Sequence, residues 1–315
     1  MTLVRKLLFS LAIASLTGLA GCSSSTTSTP PAPSQALYVG AFAGSPPLAE
    51  VLFPFSAAST VTTSAPAGLV STKGMAFDSA GNLYVGTVSD QVFVFAHPVN
   101  SASTPVATIT LPIGGNPLFI AIDAGNNLWV SDVNNDLVYE FTGPFAGSIT
   151  PAPAKTLSTD LINPQGLAFD AAGNLYVGDA TSNDIEIFAA PITNGETPNA
   201  AKLTGVTNVR GLAFDQSGNL YAGEFGGGIL RYNAPTAGGG TPSITDPVGS
   251  TTLAAAYFLA VDASGNLYVT DGLTTKNVYE FSAVATTFSA TSAPAATLSI
   301  SGFASTSNGI AIGPR

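Results

Sequence analysis

Among 315 residues there is one cysteine, one histidine and one tryptophan, and 9% of residues are charged. A single cysteine closes no disulfide within the chain, so no such staple supports the fold. A Ser-His-Asp triad would have to use the only histidine, His97. Cysteine and histidine are too few for a zinc-ligand cluster. No Gly-x-x-x-x-Gly-Lys loop is present, and the glycine runs at 226–228 and 238–240 have no adjacent lysine. Basic residues are scarce, 9 against 19 acidic, for a net charge of −10. A chain this acidic repels phosphate backbones, which excludes nucleic acid as a partner. No window pairs strong helix formers with a 3.6-residue apolar period, so long helices are not expected.

Glycine (33), proline (22) and short apolar runs are plentiful, and 45% of residues are hydrophobic. That pattern predicts an all-β chain able to bury a core. The start is different in kind. Residues 1–6 hold Arg5 and Lys6, residues 7–19 carry no charge, and Leu19-Ala20-Gly21-Cys22 follows. A charged start, a short apolar run and small residues at a cut describe a secretory signal. The apolar run is shorter than the roughly 20 residues of a spanning helix. Leu-Ala-Gly-Cys resembles the lipobox of bacterial lipoproteins. The resemblance implies cleavage before Cys22, its lipidation, and a place in the cell envelope, at the outer membrane or facing the periplasm if the cell has one. Removing residues 1–21 leaves 7 basic and 19 acidic residues, a net of −12. Residues 22–35 are rich in Ser, Thr and Pro and read as a flexible tether holding the next domain near a membrane.

Residues 36–315 are built on a repeat. Asp78, Asp123, Asp170, Asp215 and Asp262 open one motif at spacings of 45, 47, 45 and 47. A period near 46 fits a four-stranded propeller blade. In the clearest copy a first strand, Gly166-Leu167-Ala168-Phe169, leads through Asp170-Ala171-Ala172-Gly173 into a second strand at 174–178. A third strand is expected at 185–188 and a fourth around 201–205. Asp caps the bend, and the fourth residue takes positive φ; Gly fills that place except where Asn126 stands. The first unit lacks its own first strand: its second, third and fourth are expected at 37–40, 51–55 and 61–65. Gly309-Ile310-Ala311-Ile312 near the C-terminus matches the missing strand. The expectation is a six-bladed β-propeller whose C-terminal strand completes the N-terminal blade; a five-bladed ring or an open stack are the alternatives. The pattern Gly-Leu-Ala-Phe-Asp-x-x-Gly-Asn-Leu-Tyr-Val resembles NHL-repeat propellers. That resemblance points to the SMP-30/gluconolactonase lactonases, virginiamycin-type lyases and pure binding platforms, among which fold does not choose.

In such a ring the start of strand one and the end of strand two share a face. Asp132, Asp179, Glu224 and Asp271 then ring one mouth, with Lys73, Asn116, Asn163, Gln165, Asn208, Arg210, Tyr257 and Asn308 on the same rim. Four carboxylates could hold Ca2+ or another divalent cation. Because they recur with the repeat, capping of their own loops is the favoured reading. Lys73, Asn116, Gln165, Arg210 and Tyr257 are the candidate ligand-binding set, with Arg210 expected to pair with Glu224. Trp129 replaces a repeat tyrosine and reads as packing. His97 falls near the outer rim of the other face, which disfavours a lyase base. The expected function is a monomeric, non-enzymatic binding or scaffold module for a protein, glycan or small molecule. A metal-dependent lactonase using the carboxylates is the alternative.

Overall fold

The computed structural model describes residues 35–314 other than 113, 227, 237–238, 247–252, 273–274, 290–291 and 304. The strands form six sheets in sequence order. Blade one takes its inner strand from the C-terminus: Ser307–Pro314 pairs antiparallel with Gln35–Ala41, which pairs with Leu48–Leu52 and then Val61–Ser64. The inner strands of the other blades are Met75–Phe77, Pro117–Ile122, Pro164–Phe169, Val209–Phe214 and Ala256–Val261. These six strands touch one another in ring order, closing a six-bladed β-propeller. Closure pairs the N-terminal strand, whose edge would otherwise be open.

Apart from one added strand in blade two, each blade is antiparallel, and the hydrophobic clusters lie between neighbouring blades. Trp129, Val138 and Leu157 of blade three, for example, pack with Leu167, Leu175 and Phe188 of blade four. Neither blade could bury that surface alone, which is how repeat units come to depend on one another.

Three expectations need correction. Blade four has three strands, Pro164–Phe169, Leu175–Asp179 and Asp184–Phe188; the fourth, expected around 201–205, is a single bridge from Leu203 to Ile185. Leu203 also bridges to Gly240 of blade five, so this segment is shared between two sheets and does not run along one. Blade two gains a fifth strand, Gly147–Ile149, lying parallel to Ala107–Thr110. In blade one the third strand ends at Leu52 and not at Phe55. Pro54 has no N–H to continue the ladder.

Candidate functional site

The tight turns form one face of the ring. In all five motif copies one carboxylate oxygen of the opening Asp accepts backbone N–H groups two and four residues on, at 2.8–3.0 Å. The other oxygen accepts the amide of the following Asn at 2.7–2.9 Å. It also faces a donor from the second strand: Tyr84, Trp129, Tyr176, Tyr221 or Tyr268. Trp129 therefore does more than pack. Its indole N–H reaches Asp123 at 3.0 Å and keeps the donor that phenylalanine would lose. Asn126 sits at φ 60°, in the left-handed region occupied elsewhere by glycines such as Gly173 at φ 86°. Burial raises the carboxyl of Asp123, but bonds from Trp129, Asn127 and Gly125 outweigh it and hold it below the ordinary range. Burial and the nearby Asp170 charge push the Tyr176 hydroxyl up to about 12.

The opposite face carries the expected rim. Register pairs Pro117 with Asp132, Pro164 with Asp179, Val209 with Glu224 and Ala256 with Asp271, so strand-one starts and strand-two ends do share it. The four carboxylates turn to their own loops. Asp132 accepts from the backbone of Asn116 and Asn134 and the side chain of Asn135. Asp179 accepts four backbone N–H groups, from Ile162, Asn163, Thr181 and Ser182, at 2.6–3.1 Å. Glu224 accepts from Thr207 at 2.5 Å and Asp271 from Ala254 at 3.2 Å. Each clamps the segment entering its blade. Among the described residues no three His, Cys, Asp or Glu side chains are grouped to hold a metal.

Where the inner strands reach this face, five of the six carry a bulge. A bulge adds one residue against its partner and re-aims a side chain. It falls at Asn308, Leu118, Gln165, Arg210 and Tyr257 or at the residue next to them; Lys73 holds the same place just before the inner strand of blade two. In ring order the six are Asn308, Lys73, Leu118, Gln165, Arg210 and Tyr257, six different residue types.

The next position closes the axis. Blades one, two, four and five have glycine there: Gly309, Gly74, Gly166 and Gly211. A Cβ on Gly309 would stand 1.9 Å from the Lys73 carbonyl, and one on Gly166 would stand 2.3 Å from that of Arg210, so no larger residue fits. Blades three and six, opposite each other, have Phe119 and Phe258 instead. Their rings meet with centroids 4.4 Å apart, and both side chains are buried. The two rings meet across the axis and form an aromatic floor beneath the mouth. Tyr257 lies parallel to Phe119, centroids 6.2 Å apart at 10°. This plug was absent from the sequence expectations. The signal was present as a glycine-to-phenylalanine change at one repeat position, three blades apart.

The ligand-binding candidates surround this floor. Lys73 is buried, donates to the Asn116 side chain and has no carboxylate partner; burial lowers its pKa. Asn116 in turn donates to Asn134. Gln165 is 1% exposed, donates to Asn163 at 2.6 Å, and its buried Oε1 has no hydrogen-bond partner. The guanidinium of Arg210 lies 4.8 Å from the Phe225 ring centre and 5.3 Å from that of Tyr257. Its Nε is buried without a partner, and burial lowers its pKa. The expected Arg210–Glu224 pair does not form: Arg210 is held by aromatic faces, and Glu224, its pKa raised by burial, binds the Thr207 N–H. Cys22 lies outside the described residues.

No protein-family model matches the chain, and no curated protein matches its sequence. Solved structures do share its shape. A protein of unknown function from Bacteroides caccae has a TM-score of 0.63 at 13% identity, covering 90% of this chain and 100% of that one. Candidate 6-phosphogluconolactonases follow. The one from Bacteroides uniformis has a TM-score of 0.59 at 13% identity, covering 80% of this chain and 79% of that one. The one from Bacteroides fragilis has a TM-score of 0.57 at 13% identity, covering 79% and 78%. At these identities the likeness shows the fold, a β-propeller, and the fold hosts many unrelated functions.

Proposed function

We propose that this chain is a non-enzymatic binding or scaffold module that works through the mouth face of a monomeric propeller. Residues 1–21 would be removed and Cys22 lipidated, so that residues 22–35 tether the NHL-like propeller at the bacterial envelope. The observation that carries this reading is the distribution of exposed apolar side chains. Among the described residues, four of the five most exposed large hydrophobics, Phe42, Val70, Val88 and Ile162, lie on segments entering inner strands or leaving second strands, at the mouth. Apolar groups exposed on the same face as the buried polar set support reading that face as the one that meets a partner. The partner would be a protein, a glycan or a small molecule.

The alternative, a metal-dependent lactonase, draws on the names of the Bacteroides neighbours and on the gluconolactonase-type repeat. Against it, the rim carboxylates spend their oxygens on backbone N–H groups. Calorimetric titration with Ca2+, Mg2+ and Zn2+ separates the two. The expected result is no saturable heat that Asp179→Asn abolishes. A stoichiometric metal lost in that variant, together with lactone turnover, would replace the binding reading. For the anchor, Cys22→Ser should move the protein out of the membrane fraction, and retention there would refute lipidation.

A further inference from the structure

Resting on the reading of the mouth as the binding face, we infer that it takes a small organic anion, a carboxylate or phosphate ester on a planar or apolar body, with a hydroxyl on that body adding a further contact. Lys73 and Arg210 hold the charge, and the Tyr257–Phe119 stack holds the body.

The argument begins with scarcity. The chain has a net charge of −10 and only 9 basic residues. Lys155 pairs with Glu140, and Lys202 with Asp184 and Glu186. Among the described residues Lys73 and Arg210 pair with no carboxylate, and Lys276 donates only to the Phe303 carbonyl, although acidic residues outnumber basic ones about two to one. A buried or half-buried cation without a counter-ion costs stability, and these two, Lys73 buried and Arg210 half-buried against aromatic rings, share one rim. They stand on blades two and five, opposite one another in the ring, so an anion on the axis has one on each side. The glycines beside the ring of carbonyls keep the four polar blades tight. The two remaining blades supply the aromatic floor.

The other polar groups complete the set. Gln165 and Asn308 stand on blades four and one, again opposite. The Gln165 Nε2 is committed to Asn163, which leaves a buried carbonyl oxygen to accept a bond from a ligand hydroxyl. The rim carboxylates Asp132, Asp179 and Glu224 are engaged by N–H groups of their own loops and not by Lys73 or Arg210, which leaves the two cations for a ligand.

Calorimetry on the intact chain with 4-hydroxybenzoate, phenyl phosphate, inorganic phosphate and the neutral 4-hydroxybenzyl alcohol tests this. The two organic anions should bind saturably and the alcohol far more weakly. Lys73→Met and Arg210→Met should each weaken the anions by about tenfold or more. Lys73→Arg should retain most of the affinity, and melting curves should show every variant folded. If the alcohol binds as tightly as the anions and only Tyr257→Ala abolishes it, the anion inference falls while the mouth remains the binding face. Anions that bind wild type and both Met variants alike bind elsewhere, which overturns the site. Inorganic phosphate matching phenyl phosphate would remove the role given to the aromatic floor. Absence of binding by all four probes also overturns the inference; the metal titration above then still judges the broader reading separately.

Discussion

On the turn face an Asp recurs in five of six blades and both its oxygens are bonded each time; on the mouth face the bulge-region residue is different in every blade, and two of these residues, Gln165 and Arg210, each bury a polar atom without a partner. Both sets sit on the same hairpins, a few residues apart, and both range from half-buried to buried. The difference lies in what repetition can serve. A turn that closes a hairpin has the same geometric task in five blades, so the same residues recur. A ring of six positions around one axis makes a single asymmetric surface, and only departures from the repeat can give it a chemistry. In a propeller the candidate site is best sought where the repeat fails to repeat.

The largest test of this division is removal of residues 307–315. That deletes the inner strand of blade one and with it Asn308 and Gly309, exposing the edge of Gln35–Ala41. The truncated chain should lose its cooperative melt and aggregate. A truncated chain that melts like the intact one would show that the ring does not depend on its closure.

Next in size is the plug. Phe119→Ala or Phe258→Ala should cost about 3–5 kcal/mol, because each leaves a cavity at the axis that the rigid ring fills poorly. The double variant should cost less than the sum, since the rings touch each other. Strict additivity in denaturant melts would mean that the two rings act independently.

Much of this architecture was legible in the sequence because its cause is local. Asp170, Gly173 and Tyr176 lie within one hairpin, and the period near 46 counts the blades. The missing first strand and its match at 309–312 revealed the closure by simple complementation. The plug was harder to read, because Phe119 and Phe258 are 139 residues apart and meet only after six blades close. The Arg210–Glu224 expectation failed for a related reason. Adjacency on a rim says which groups are near, and competition from the Thr207 N–H and the Phe225 and Tyr257 rings decides which ones pair.

A third comparison sets one face directly against the other. Asp170→Ala removes an ionised acceptor from Ala172, Asn174 and Tyr176 and should cost about 1.5–3 kcal/mol. Lys73→Met removes a buried cation without a counter-ion and should leave the melting temperature unchanged or raise it. Equal destabilisation by the two variants would mean that Lys73 is as structural as the turn aspartate.

The smallest effect compares two titrations. Asp123 on the turn face is held below the ordinary aspartate range, so it contributes stability above its unfolded pKa that is lost as pH falls through its folded one. Glu224 at the mouth is raised, burial first and the Thr207 N–H only partly offsetting it. Its cost is therefore greatest above its folded pKa and is relieved as pH falls from there toward the unfolded value. Carboxyl-carbon NMR should place the Asp123 midpoint well below that of Glu224. Asp123→Asn should flatten the acid limb of the stability curve, whereas Glu224→Gln should raise stability at neutral pH with little change at acid pH. A Glu224 midpoint at or below that of Asp123 would mean that a cation or another donor reaches the mouth carboxylate. That result would bring the metal reading back.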